Sequence, residues 1–198
     1  MTVYDLWVPV LGTGIATHVM STLAWTVMPH HKPEWQGLPE EDGFLDLVEK
    51  NSIAPGQYLY PYAENPAEMK SEEYQEKMKR CRGTITVWAK PPNMGIAIGQ
   101  TLLFFLVTDF LIGYLASLAL APGAEFMKVF QFATTAGLIA HCAGIFPGVF
   151  WFKRKVAMDL VDKVAYAIVT GLIFAQFWPG GVRTVYCSAG VPRDGALR

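Results

Sequence analysis

Residues 96–120 read IAIGQTLLFFLVTDFLIGYLASLAL, a run whose one charged side chain is Asp109. About twenty apolar residues are enough to cross the hydrocarbon core of a bilayer as a helix. Outward from this run, three further stretches have the same character: 6–28, 127–152 and 160–178. The fold class that follows is an all-α membrane protein of four transmembrane helices. Between the first and second helices lies a polar insertion, residues 29–95, and after the fourth comes a tail, residues 179–198, rich in Gly and polar residues and expected to be irregular.

Composition agrees with this division. The chain is 52% hydrophobic and 17% charged, against about a quarter charged in a soluble domain. Most of its charges crowd into residues 29–95. A net charge of −1 and the lack of a basic stripe leave nothing to neutralise phosphates, so nucleic acid is not an expected partner. Cys81, Cys142 and Cys187 are scattered, with no CxxC pair, which fits neither a zinc site nor a disulfide framework. Cys142 reads as a small buried apolar residue. The first five residues carry an acid and no base, so 6–28 reads as a retained span rather than a cleaved signal.

Span borders are marked by Trp7 and Trp25, Trp151, Trp178 and Tyr114, rings that favour the headgroup zone. Lys and Arg set the orientation. Residues 29–95, Lys153-Arg154-Lys155 and Lys163 hold 12 of the 16 basic residues, and only Lys128, Arg183, Arg193 and Arg198 fall on the other side. The positive-inside rule then puts both termini outside and the insertion in the cytoplasm.

The insertion is patterned as a small α+β cap. Residues 39–50 begin with Glu40, Glu41 and Asp42 and end with Lys50, which suits a helix dipole. Ala54-Pro55-Gly56 reads as a turn and 57–60 as an extended piece. Asn65-Pro66 opens a second helix to about Arg80, ended by Gly83. Thr84-Ile85-Thr86-Val87-Trp88 reads as a strand stopped by Pro91-Pro92. About 65 residues make a marginal core alone, so the cap is expected to lean on the membrane or on a partner protein.

Ionisable side chains at bilayer depth are costly. His18, Asp109 and His141 fall roughly ten to fourteen residues from the outer ends of their spans, one layer near the midplane. Three readings are open. The residues form a hydrogen-bonded cluster that pins helices, with Asp109 accepting from a His or, protonated, donating to one. Alternatively, His18 and His141, each with a Gly four residues earlier (Gly14 and Gly137), ligate haem b or a bacteriochlorophyll beside the helix. Or the three residues form a proton or ion path, with Asp109 as the carrier group. His30-His31 at the membrane border has metal-binding chemistry but, on a loop, is expected to be solvated. Ala136, Ala140 and Gly144 make a stripe of small residues suited to close helix packing, and Pro147 is expected to kink its span. No P-loop, GxGxxG, GxSxG or HExxH motif is present, so no catalytic residue is expected.

The segments His30-His31-Lys32, Ala54-Pro55-Gly56-Gln57-Tyr58 with Pro61, and Pro91-Pro92-Asn93-Met94-Gly95 resemble a family of small bacterial multi-pass inner-membrane proteins. The resemblance runs to about Pro179 and implies a bacterial inner-membrane location without functional residues. A further similarity, resting on no motif, is to accessory subunits of bacterial photosynthetic reaction-centre and light-harvesting assemblies. The expected role is a non-catalytic accessory subunit of a respiratory or photosynthetic membrane complex. Its expected partners are other integral membrane subunits and lipids.

Overall fold

The computed structural model describes residues 1–180. Most of the tail expected to be irregular, with Cys187, therefore lies outside the described residues. Within them the chain is mostly helical, with one two-stranded sheet. Seven α-helices occur in the order α1 (Trp7–Thr26), α2 (Glu41–Lys50), α3 (Glu72–Arg80), α4 (Met94–Ala119), α5 (Phe126–Leu138), α6 (Ile145–Phe152) and α7 (Ala157–Gln176). Strand β1 (Gly56–Tyr60) precedes α3 and strand β2 (Gly83–Val87) follows it.

Three helical stretches are long and apolar enough to cross a membrane: Val3–Thr26, Met94–Ala119 and Phe126–Phe152. They match the first three expected spans closely and support a membrane protein. The fourth expected span falls on α7, which is not among the three. It carries Asp159, Asp162 and Lys163 in its first two turns.

These helices form an up-down-up-down bundle. Gly14 on α1 meets Leu106 on α4, and Gly113 on α4 meets Val10 and Phe174, so α1 and α4 run antiparallel. Gly137 on α5 abuts the Ala167 backbone on α7, while Gly171 abuts Phe130 and Thr134. The register of α5 on α7 is antiparallel as well. The missing side chains let backbones approach where apolar packing alone, without a water-driven force, holds helices together. Ala136, Ala140 and Gly144 do not make this contact. The face used is Ala133 and Gly137, both buried, whereas Ala140 and Gly144 are exposed.

The core sits at the end where α1 begins and α7 finishes. It comprises Leu6, Val10, Ile112, Ala116, Leu120, Val129, Ala133, Phe174, Ala175 and Trp178. Trp178, at the border of the fourth expected span, packs inward. It is buried, and its indole N–H donates to the Ala121 carbonyl at 3.0 Å. Beside it Gly123 donates its N–H to the Pro179 carbonyl at 2.8 Å. Gly123 and Gly180, at φ +75 and +76, leave no room for a Cβ on Gly180, which would stand 2.9 Å from the Gly123 nitrogen.

A π-helical turn, Ile139–Ala143, joins α5 to α6. Pro147 explains it: proline has no N–H to give the Ala143 carbonyl four residues back, and its ring crowds that carbonyl. The expected kink is thus a widened turn on the N-terminal side of the proline, and His141 lies in it.

The cap elements match the sequence pattern with one exception. Strands β1 and β2 pair antiparallel with Gly56 opposite Val87 and Tyr60 opposite Gly83. The helix expected from Asn65 to Arg80 is broken. The Asn65 carboxamide oxygen accepts from the Ala67 and Glu68 N–H groups at 3.0 Å and caps only a short 3-10 turn, Glu68–Lys70. Ser71 then turns extended (φ −65, ψ 146). Its hydroxyl donates to the Glu68 carbonyl at 2.7 Å and accepts from the Tyr74 N–H, so it starts α3 afresh. No residue between positions 32 and 100 is buried.

Candidate functional site

The bundle holds a polar layer at mid-height. Asp109 on α4, Thr13 and Thr17 on α1 and Thr170 on α7 are all fully buried. The Gly14–Leu106 and Gly113–Val10 contacts set Asp109 opposite the stretch of α1 that contains Thr13. Thr17 and Thr170 spend their hydroxyls on their own helices, donating to the Thr13 carbonyl at 2.8 Å and the Tyr166 carbonyl at 2.9 Å. Neither Asp109 carboxyl oxygen nor the Thr13 hydroxyl makes a hydrogen bond of good geometry, although the Thr170 hydroxyl, which donates to its own helix, lies beside the Asp109 carboxyl.

The two intramembrane histidines stand apart from Asp109. Phe105, one turn before Asp109 on α4, meets His18 edge-on with ring centroids 6.4 Å apart and His141 at 5.9 Å. Tyr166 closes the group, 5.5 Å from Phe105 and 6.1 Å from His141. His141 is buried and its Nε2 has no partner; the Nδ1 of half-buried His18 has none either. The expected hydrogen bond from a histidine to Asp109 is therefore not made. The spaces expected beside the histidines are filled: a Cβ on Gly14 would lie 2.6 Å from Leu106, and one on Gly137 would lie 3.0 Å from the Ala167 Cα. Neighbouring helices take the room beside these two glycines, which bring backbones together.

A denser constellation lies at the other end of the bundle. A 3-10 turn, Pro29–Glu34, follows α1 and presents His30, His31 and Glu34 to the first turns of α7. His30 Nε2 lies 3.0 Å from Asp162 Oδ1, and His31 Nε2 lies 2.8 Å from Asp162 Oδ2. His31 Nδ1 lies 2.8 Å from Glu34 Oε2. Glu34 is held in turn by the Met158 N–H, which donates to its other oxygen at 2.9 Å. The Trp25 indole stacks on the His31 imidazole, centroids 3.9 Å apart and planes within 10°. The histidine pair is thus not solvated: His31 is only 5% exposed.

Both His31 ring nitrogens face carboxylate oxygens, and a neutral imidazole can donate from only one of them. A positive charge belongs on or beside this ring. Burial opposes the imidazolium, but the hydrogen bonds to Glu34 and Asp162 outweigh it and raise the His31 pKa above its ordinary value. Burial likewise pushes the Glu34 carboxyl up, and the bonds from His31 and from the Met158 and Asp159 backbone bring it below the usual value.

This cluster joins residues 131 positions apart, and sequence reading missed it. One signal was present: Asp162 lies in the charged first turns of a span that is apolar beyond them, and an acid at that place needs a partner. Openings lie elsewhere among the described residues. A groove of about 680 Å³ between α4 and α5 is lined by Thr108, Ile112, Thr135, Ala136 and Ala140, with Lys128 and Gln131 also on its wall. A cleft of about 500 Å³ lies between the cap (Tyr60, Tyr74, Met78, Arg82) and Trp151 and Phe152 of α6. Comparison of the chain with family models, with curated proteins and with solved structures finds no match in any of the three.

Proposed function

We propose that the protein is a non-catalytic accessory subunit of a larger bacterial inner-membrane complex. It crosses the bilayer four times, α7 being the fourth crossing, with both termini outside and the cap in the cytoplasm docked on a partner subunit. One observation carries this reading: the cap has regular secondary structure, and from residue 32 to 95 it contains no buried residue. Trp35, Tyr62 and Trp88 are each 70% exposed, and Leu38, Leu45, Leu47 and Leu59 are at least half exposed. An exposed apolar surface of this kind marks an interaction face, and a segment of this size needs another surface to bury a core. The groove between α4 and α5, where Ala136 and Ala140 face outward, offers a second place for a neighbouring helix. The basic residues of the cap and of Lys153-Arg154-Lys155 support the orientation.

Mild-detergent extraction from the native membrane tests the proposal. The expected result is a stoichiometric partner set that is lost when Trp35, Leu59 and Trp88 are replaced by Ser. A monodisperse monomer with no co-purifying protein would overturn it.

A second reading, a small proton or ion carrier, is favoured by the two buried and unpartnered carboxyl oxygens of Asp109. It requires Asp109→Asn to abolish flux in liposomes; equal flux in that variant removes it.

A further inference from the structure

The geometry points to a site for a first-row divalent transition ion, of the Zn²⁺ class, formed by His30, His31 and Asp162 where the end of α1 meets the start of α7. The three donor groups lie within 4.8 Å of one another. They come from two elements, the 3-10 turn after α1 and the second turn of α7, so the bundle assembles them. Two imidazoles and one carboxylate are the donor set that first-row divalent ions take, whereas Ca²⁺ and Mg²⁺ need oxygen ligands. Ligand bonds of about 2.0–2.2 Å put neighbouring tetrahedral donor atoms about 3.4 Å apart. The present separations of 2.8 and 3.0 Å, each to one of the two Asp162 oxygens, widen by about 0.4–0.6 Å to reach that spacing.

Three features go beyond a histidine pair meeting an acid. His31 Nδ1 lies 2.8 Å from Glu34 Oε2, so that with an ion on Nε2 the Nδ1–H donates to Glu34. A carboxylate behind a ligating imidazole is the usual outer partner at metal centres. Glu34 is itself anchored by the Met158 N–H, and Trp25 holds the His31 plane by stacking. Finally, two carboxylates converge on this imidazole, and Asp162 Oδ2 already stands 2.8 Å from His31 Nε2, so an ion entering there takes the place of a proton between two donor atoms that are already together. Three protein ligands leave coordination positions for water or a further ligand, the arrangement of an open rather than a closed site. Bound there, the ion would tie α1 to α7 at this end of the bundle, opposite the Trp178 end.

The test uses the full chain in mild detergent, without a polyhistidine tag, stripped with chelator and titrated with Zn²⁺ by calorimetry and with Co²⁺ by visible absorption. The expected result is one Zn²⁺ per chain and one equivalent of Co²⁺ giving ligand-field bands. Asp162→Asn and His30→Ala should lose both, Glu34→Gln should weaken binding about 10- to 100-fold, and His18→Ala should leave it unchanged. Asp162→Asn and Glu34→Gln conserve volume, and the wild-type titration decides the matter by itself. No Zn²⁺ bound at micromolar concentration, or an Asp162→Asn variant that binds like wild type, would overturn the proposal. In that case the cluster is a protonated clamp that holds the turn to α7.

Discussion

Substituting Gly171 by Ala probes the closest contact in the bundle, that of α5 with α7. A Cβ at Gly171 falls well inside contact distance of the Thr134 hydroxyl and 3.0 Å from both the Phe130 ring and the Phe130 carbonyl oxygen. Ordinary carbon contacts begin at about 3.5 Å, so Thr134 has to turn away or the helices have to part. Overpacking of this kind costs about 1–3 kcal/mol, and replacing Gly in a helix interior returns about 1 kcal/mol. The net loss is about 1 kcal/mol, which in a chain of this length lowers Tm by about 2–4 °C. Thr134→Ala removes the most crowded atom without breaking a hydrogen bond, because that hydroxyl has no partner. In the Thr134→Ala background Gly171→Ala should recover most of the loss, a coupling of about 1 kcal/mol. Thermal unfolding in detergent can be followed by dye labelling of buried Cys142, with Cys81 and Cys187 replaced by Ser. A Gly171→Ala single variant that melts at or above its parent, or a double variant with no coupling, would refute the close-packed interface.

Other substitutions test the remaining layers. Asp109→Asn conserves volume and breaks no hydrogen bond of good geometry, so Tm should stay within about 2 °C of the parent; a larger fall would show that the neighbouring Thr170 hydroxyl bonds the carboxyl. Trp178→Phe removes the indole bond to the Ala121 carbonyl and should cost about 1 kcal/mol, read as a lower melting temperature. A fragment spanning residues 39–90 lacks any buried residue and should give a coil spectrum by circular dichroism without a cooperative melt; a sigmoidal transition would show that the cap folds without a partner.

Much of this protein was legible because it is local. Hydropathy along 96–120 sets a helix of membrane length wherever its neighbours lie, and α4 spans Met94–Ala119. The β-branched run at Thr84–Val87 and the turn at Ala54-Pro55-Gly56 likewise announce a paired strand and its entry. The helix over Asn65–Arg80 was misread because Ser71, one polar residue among many, takes the neighbouring carbonyl and restarts the helix. Contact across the bundle was not legible. Gly14 and Gly137 looked like room beside a histidine, yet they are the points where Leu106 and Ala167 come closest, since an absent side chain can admit either a ligand or a backbone. Ala136 and Ala140 looked like a packing stripe and instead line an open groove, because helix rotation, which local pattern does not encode, decides which face meets a neighbour. His30 and His31 looked like solvated loop residues. Only the antiparallel pairing of α1 with α7 carries Asp162 to them, and the fixed bundle geometry turns three separate side chains into one hydrogen-bonded cluster around buried His31.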